Sequence, residues 1–119
     1  MVQDASSYVG NPMGIEFQAS LFADHGDRIL FKPEATPLGP CISALRDATG
    51  GTAAIFEGSG GVLLMDSFRR GIKGTIPGVE LLDGTTALWR ALEMTRVQLQ
   101  NDGWLDDGGA ALPSARCRR

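Results

Sequence analysis

A lysine, Lys32, stands at the end of the short apolar run 29–31 and directly before Pro33. Because a proline pushes the residue before it out of the helical region, we expect Lys32 to be extended, as the last residue of a strand over 28–32. A lysine at the end of a buried strand can lose its proton and become a nucleophile. The ordinary alternative is a solvated lysine where the strand meets water, because lysine is mostly exposed in proteins.

The elements that must position Lys32 alternate between strand and helix. Glycines fall between the periodic segments, where they mark turns and helix ends. The sequence predicts strands over 2–5, 28–32, 52–56 and 74–76, and helices over 15–23, behind Pro40, over 62–70 and through Leu88, Leu92 and Leu99. This alternation favours parallel β-α-β units with right-handed crossovers. The predicted fold class is therefore α/β with a parallel sheet.

Several residues end or directly follow the predicted strands, at the carboxyl edge of the sheet where such folds bind ligands. They are Lys32, Glu57, Gly58, Ser59 and Pro77. Small residues at a strand exit let a substrate approach the backbone, although Ser59 is also suited to cap the next helix while the glycines form the turn. Glu34 and Glu57 are either solvated loop charges or part of substrate selection.

Composition is that of an ordinary globular chain: 119 residues, 43% hydrophobic, 21% charged, with a formal charge of -3. The chain offers no basic field, so we expect neither a nucleic-acid nor a membrane partner. No apolar run approaches the roughly 20 residues that cross a bilayer, and residues 1–4 do not resemble a signal peptide, so a cytoplasmic location is expected. Cys41, Cys117 and His25 form no ligand motif, and no metal or cofactor is expected.

Three segments together resemble the carboxyl-terminal half of the dihydrodipicolinate synthase and N-acetylneuraminate lyase family. They are 28–35, 55–61 and 70–78, and their order and spacing match over residues 2–93. The resemblance implies the (β/α)8 TIM barrel of these class I aldolases, with barrel strands five to eight present. It also implies that Lys32 is the Schiff-base lysine, which condenses with pyruvate or another 2-oxo acid.

The resemblance assigns substrate contacts to further residues. Gly58 and Ser59 match the turn that lies close to the substrate, and Ile76 matches a position beside the bound 2-oxo acid, with simple burial as its alternative. Gln3 stands where the family usually has a proton-relaying tyrosine, and glutamine can hydrogen-bond but cannot exchange a proton at neutral pH. This departure favours an aldolase or dehydratase of 2-keto-3-deoxy sugar acids.

The resemblance covers only part of a barrel, because a complete one needs about 250 residues. Residues 1–93 are expected to be the carboxyl-terminal half, and 94–119 the end of the last helix followed by a disordered tail. A truncated reading frame with a frame-shifted tail from near Met94 would account for both. A half barrel exposes two sheet edges, so self-association, or pairing with a complementary half, is expected.

Two other interpretations remain open at this point. The first is a catalytically inactive fragment, or a half-barrel subunit that needs a partner chain. The second is an unrelated, small flavodoxin-like domain, which would need a central first strand followed by a phosphate-binding loop. The segment 4–7, Asp-Ala-Ser-Ser, is a poor candidate for that loop.

Overall fold

A computed structural model of the chain describes residues 1–103. The strands are β1 (Val2–Asp4), β2 (Leu30–Pro33), β3 (Ala54–Glu57) and β4 (Gly74–Thr75). The helices are α1 (Ser6–Val9), α2 (Ile15–His25), α3 (Leu38–Ala48), α4 (Leu64–Arg69) and α5 (Leu82–Asn101), with 3-10 turns at Gly26–Arg28 and Val79–Leu81. Within the described residues, the chain divides after Leu82 into two compact units, and the second begins at Asp83.

The first unit contains a parallel sheet in which the strands lie in chain order, β1-β2-β3-β4. Each neighbouring pair is parallel, and the register places Gln3 beside Lys32 and Glu57 beside Thr75. Parallel neighbours need a crossover between them, and the intervening helices supply it. The predicted α/β class with a parallel sheet is confirmed.

The core lies on one face of this sheet. Successive side chains on a strand point to opposite faces, so Phe31 and Ile55, which are paired in register, share a face, and both are almost fully buried. The ring of Phe22 on α2 contacts that of Phe31, with centroids 6.3 Å apart. Ile42 and Leu45 of α3 are also fully buried. Burial of such side chains contributes about 1.5–3 kcal/mol each, which makes this layer the main source of stability.

Strand β2 differs from its prediction at both ends. Residues 26–28 form a 3-10 turn, so Arg28 is not in the strand, which begins at Leu30. The strand ends at Pro33 rather than Lys32, because Pro33 still pairs with Asp4 and the backbone N–H of Glu34 donates to the carbonyl of Asp4 over 2.8 Å. A proline at the end of a strand removes one donor but does not prevent the next residue from continuing the ladder.

The second unit contains most of the long helix α5, which the spacing of Leu88, Leu92 and Leu99 predicted. Its surface carries an ion pair between Arg96 and Glu93, with 2.8 Å between Nη2 and Oε2. The helix is followed by Gly103, whose φ of 73° is the left-handed conformation common after a helix end. The disordered tail was predicted to begin at Asn101, which is instead the last residue of α5. From residue 104 onward, the predicted tail lies outside the described residues.

Candidate functional site

Lys32 lies one residue before the carboxyl end of β2, and its amine is paired with Glu34. The distance between Lys32 Nζ and Glu34 Oε1 is 2.6 Å, which is short for an ion pair. The two side chains are only 16% and 13% exposed. Residues two apart on an extended chain point to the same side, so this pairing follows from their spacing. Lys32 is therefore neither freely solvated nor surrounded only by apolar groups.

Glu34 is held by three further contacts besides Lys32. Its second carboxylate oxygen, Oε2, accepts a hydrogen bond from Gln3 Nε2 over 3.1 Å. Its backbone N–H donates to Asp4, and its Cγ lies against Gly58. The hydrogen bond from Lys32 lowers the pKa of Glu34; burial opposes this shift, and the bond from Gln3 and the charge of Lys32 add to it. Glu34 is thus an ionised, fixed hydrogen-bond acceptor.

Gly58 directly follows β3 and approaches the exit of β2 closely. A Cβ atom placed on Gly58 would lie 2.4 Å from Glu34 Cγ and 2.7 Å from the carbonyl oxygen of Pro33. Real Cβ atoms do not approach heavy atoms so closely, so a side chain here would displace Glu34 or the backbone. The glycine at this position therefore permits the contact between the β3 exit and Glu34.

Glu57 is fully buried and organises the turn that carries Gly58 and Ser59. Its carboxylate accepts hydrogen bonds from the backbone N–H of Ser59 (2.9 Å) and of Gly61 (3.1 Å), and from the hydroxyl of Thr75. Buried carboxylates are stable when several donors compensate for the loss of water. These hydrogen bonds connect the turn after β3 to β4. Glu57 therefore holds Gly58 and Ser59 in position.

Ser59 contributes to the same turn. Its Oγ accepts a hydrogen bond from the backbone N–H of Leu63 over 3.0 Å, just before α4 begins at Leu64. The predicted capping role of Ser59 is therefore wrong, because the N-cap residue of α4 is Leu63 and the helix has no side-chain cap hydrogen bond. Because Oγ accepts the bond from Leu63, its hydroxyl proton can be directed at a ligand.

A cleft of about 350 Å³ lies at the carboxyl edge of the sheet, between the loop after β2 and the turn after β3. Its lining residues are Glu34, Thr36, Pro37, Leu38, Gly39, Pro40, Gly58, Ser59, Leu63 and Asp66. Of the predicted site residues, Gly58 and Ser59 line the cleft, whereas Lys32, Gln3 and Ile76 do not. Lys32 and Gln3 are connected to the cleft only through their bonds to Glu34, which lines it. Most of the wall is apolar or backbone, with two carboxylates.

Arg70 connects the two helices, α3 and α4, that contribute residues to the wall of the cleft. Its guanidinium pairs with Asp66 on α4, with 2.8 Å between Nε and Oδ2, and donates to Ser43 Oγ on α3 over 2.7 Å. The hydrogen bond from Arg70 lowers the pKa of Asp66. Burial raises that pKa by a smaller amount, and the charges of Arg70 and Arg69 lower it further. Arg46 of α3 also donates to the Arg70 carbonyl. These bonds tie α3 to α4 and fix the distance between the two sides of the cleft.

The register brings most of the predicted site residues to one face of the sheet. Gln3 and Lys32 are direct neighbours, and Gly74 and Ile76 follow the same alternation on and beyond β4. The backbone N–H of Ile76 donates to the Glu57 carbonyl over 3.2 Å, which extends this pairing past the assigned end of β4. Ile76 is 37% exposed, so the alternative of simple burial is wrong, while its predicted position beside a bound 2-oxo acid stays a prediction.

The alternative of solvated loop charges is wrong for both Glu34 and Glu57. Glu34 is largely buried in its ion pair with Lys32, and Glu57 is fully buried in its turn. The burial of Glu34 could have been predicted, because Lys32 and Glu34 are two residues apart on an extended segment and so lie on the same side. The sequence did not indicate a role for Thr75. Its hydroxyl donates to the Glu57 carboxylate only because the register of β3 and β4 places the two residues side by side.

Residues 1–103 contain neither a metal-binding cluster nor a membrane-spanning helix. In residues 1–103, no group of three or more His, Cys, Asp or Glu side chains is placed to hold a metal ion. Nor does any helix in that range have the length and apolar character required to traverse a bilayer. Cys41 is a free thiol.

No protein-family model, curated protein or solved structure matches the chain.

Proposed function

We propose that this chain is part of a class I aldolase-type lyase, similar to the dihydrodipicolinate synthase family, in which Lys32 forms an imine with a 2-oxo acid. The substrate class is pyruvate or a 2-keto-3-deoxy sugar acid, and the reaction is aldol cleavage or dehydration. One observation carries the proposal: a largely buried lysine at the carboxyl end of a parallel strand has its amine 2.6 Å from a fixed carboxylate. Ligands bind at this edge in parallel α/β folds.

The chemistry begins with bond formation between Lys32 Nζ and the keto carbon of the substrate. The nitrogen loses two protons, the keto oxygen leaves as water, and a positively charged iminium remains. The iminium withdraws electrons from the adjacent carbon. A bond from that carbon to hydrogen, or to the next carbon of the chain, can then break, with its electron pair held in an enamine. After loss of the hydrogen as a proton, the enamine pair can form a double bond to the next carbon, from which a hydroxyl group leaves with its own electron pair and a proton, as water.

The cleft supplies a place for the rest of the substrate. Ser59 offers a hydroxyl at its wall, and Gly58 lines it with backbone, because Glu34 occupies the space that a side chain on Gly58 would take. Ionised Asp66 and Glu34 accept hydrogen bonds and do not attract a second anion, so the cleft suits the hydroxyl groups of a sugar chain.

The architecture proposed is the partial TIM barrel, with β1 to β4 as barrel strands five to eight. The support is the parallel order β1-β2-β3-β4 with helices between the strands, since barrel strands are neighbours in chain order. In this arrangement Gln3, Lys32 and Ile76 would face the barrel interior, and Phe31 and Ile55 would face the surrounding helices.

A second candidate is an inactive fragment, or a half-barrel subunit that pairs with another chain. The observation in its favour is that, within residues 1–103, β1 and β4 each pair with one strand only and so form sheet edges. Sedimentation of the purified chain tests pairing: self-association or a mixed complex is expected, and a compact, stable monomer would count against it.

Proton exchange at the methyl carbon of pyruvate tests the enzyme proposal. If Lys32 forms the iminium, the methyl protons are released to solvent and replaced by deuterium in heavy water, which NMR detects as loss of the methyl signal. We expect exchange with the wild-type chain and with Lys73→Arg, and only background exchange with Lys32→Arg. Equal exchange with the wild-type chain and Lys32→Arg would remove Lys32 from the reaction.

A further inference from the structure

We infer that Glu34 is a second catalytic residue, which accepts the protons that Lys32 loses during imine formation and returns them to the departing oxygen. The inference rests on the proposed function and assigns to Glu34 a role that the Lys32 assignment alone does not require. The contact that carries it is the 2.6 Å distance between Lys32 Nζ, the reacting atom, and Glu34 Oε1. A candidate proton acceptor must lie within hydrogen-bond reach of the proton it takes, and Glu34 does.

The surroundings of Glu34 fix its position as a relay requires. Oε1 faces Lys32, Oε2 accepts from Gln3, the backbone is bonded to Asp4, and Gly58 closes against Cγ. Gln3 touches the same carboxylate but cannot exchange protons at neutral pH, so in this pair of neighbours Glu34 is the group able to do so. Glu34 also lines the cleft, which places its carboxylate next to an entering carbonyl oxygen.

The proton transfers balance over two cycles. The Lys32 ammonium gives one proton to Glu34, the nitrogen lone pair forms the bond to carbon, and the carbonyl oxygen takes that proton from Glu34. The nitrogen then gives a second proton to Glu34, which passes it to the same oxygen. The carbon–oxygen bond breaks, water leaves and the iminium remains. Glu34 ends ionised, as it began, and no outside acid or base is consumed.

This arrangement predicts a distinctive pH dependence. The reactive form, a neutral amine beside a protonated Glu34, holds the same number of protons as the resting ion pair. Its population therefore does not change with pH while the pair holds one shared proton. A lysine without such a partner reacts only after a proton is lost to solvent, so its rate rises about tenfold per pH unit while most of the amine is charged.

The test measures the rate at which pyruvate becomes trapped on the chain under cyanoborohydride, followed by mass spectrometry. The variants are Glu34→Gln, which removes the proton acceptor, and Glu34→Asp, which keeps it. The control is Glu93→Gln, which makes the same change in the ion pair with Arg96 on α5. Circular dichroism establishes that each variant is folded, and Glu34→Asp preserves the test if Glu34→Gln is not.

At neutral pH we expect trapping to be roughly a hundredfold slower in Glu34→Gln than in the wild type. We also expect its rate to rise about tenfold per unit across about pH 6 to 8, while wild type, Glu34→Asp and Glu93→Gln stay nearly flat. A Glu34→Gln chain with the wild-type rate and profile, or a steep profile in Glu34→Asp, overturns the role of Glu34 and leaves the Lys32 proposal intact. Absence of any trapped pyruvate on wild-type Lys32 overturns both.

Discussion

Replacing Gly58 with alanine tests whether the turn after β3 must lie against Glu34. The new methyl group would stand 2.4 Å from Glu34 Cγ and 2.7 Å from the Pro33 carbonyl oxygen. Carbon atoms in contact are normally about 3.5–4.0 Å apart, so the first approach is short by roughly 1 Å. The clash involves a backbone atom and the inner part of a held side chain, neither of which can turn away freely.

Relief of the clash has a cost on either side. If Glu34 moves, its contacts with Lys32 and Gln3 lengthen; if the Gly58 backbone moves, the hydrogen bonds that Glu57 accepts from the turn are strained. Overpacking of this kind destabilises proteins by about 1–3 kcal/mol. We expect Gly58→Ala to lie in the upper half of that range, because both routes disturb charged or buried groups.

Urea unfolding followed by circular dichroism measures the effect as a change in midpoint at constant slope. Gly84→Ala is the matched control, since no heavy atom lies within 4 Å of its Cβ position and it lies in α5. Alanine is the better helix former by about 1 kcal/mol, so this variant should lose no stability. If Gly58→Ala unfolds at the same urea concentration as the wild type, the close approach to Glu34 is not a real constraint.

Three further changes probe the core and the carboxylates. Glu57→Gln should cost about 1–3 kcal/mol in urea unfolding, because an amide nitrogen would face buried donors; a loss below 0.5 kcal/mol (about half the usual hydrogen-bond value) would show that the turn does not depend on the carboxylate. Leu45→Ala should lower the free energy of unfolding by about 2–5 kcal/mol in the same assay. A loss of only a few tenths of a kcal/mol, as for a surface residue, would show that Leu45 does not contribute to the core. The stability that Glu34 contributes should be fully present above its ordinary pKa of 4.5 and disappear as pH falls through its lowered value. The difference in unfolding free energy between wild type and Glu34→Gln should therefore shrink below about pH 4.5, and a difference that grows on acidification would contradict the direction of that shift.

Much of the fold could be predicted from local pattern. Apolar periodicity and glycine punctuation identified all four strands and the helices α2 to α5 of the described residues, because each signal is contained in neighbouring residues. The four-residue helix α1 was missed, since one turn leaves too short a pattern to recognise. The start of β2 was placed too early, because nothing in the types of residues 26–28 distinguishes a 3-10 turn from an extended entry.

The candidate site was predictable only where the chain spacing determines the geometry. Lys32 at a strand end follows from Pro33 and the apolar run before it, and the alternation of a strand puts Glu34 on the same side. The burial of Glu57 was not predictable from the sequence. The hydrogen bonds that replace water around its carboxylate come from backbone N–H groups, which have no sequence signature. The approach of Gly58 to Glu34 depends on the register of β2 and β3, which only the folded sheet defines.

Mapping of a trapped adduct tests most directly whether Lys32 is the nucleophile. The sequence contains two lysines, Lys32 and Lys73, and Lys73 is exposed, so it reports non-specific reaction in the same sample. The folded chain is incubated with pyruvate, reduced with borohydride, digested and analysed by peptide mass spectrometry. We predict a reduced pyruvate adduct on Lys32 well above that on Lys73 and the amino terminus. An adduct distributed equally among these amines, or absent from Lys32, would contradict the account.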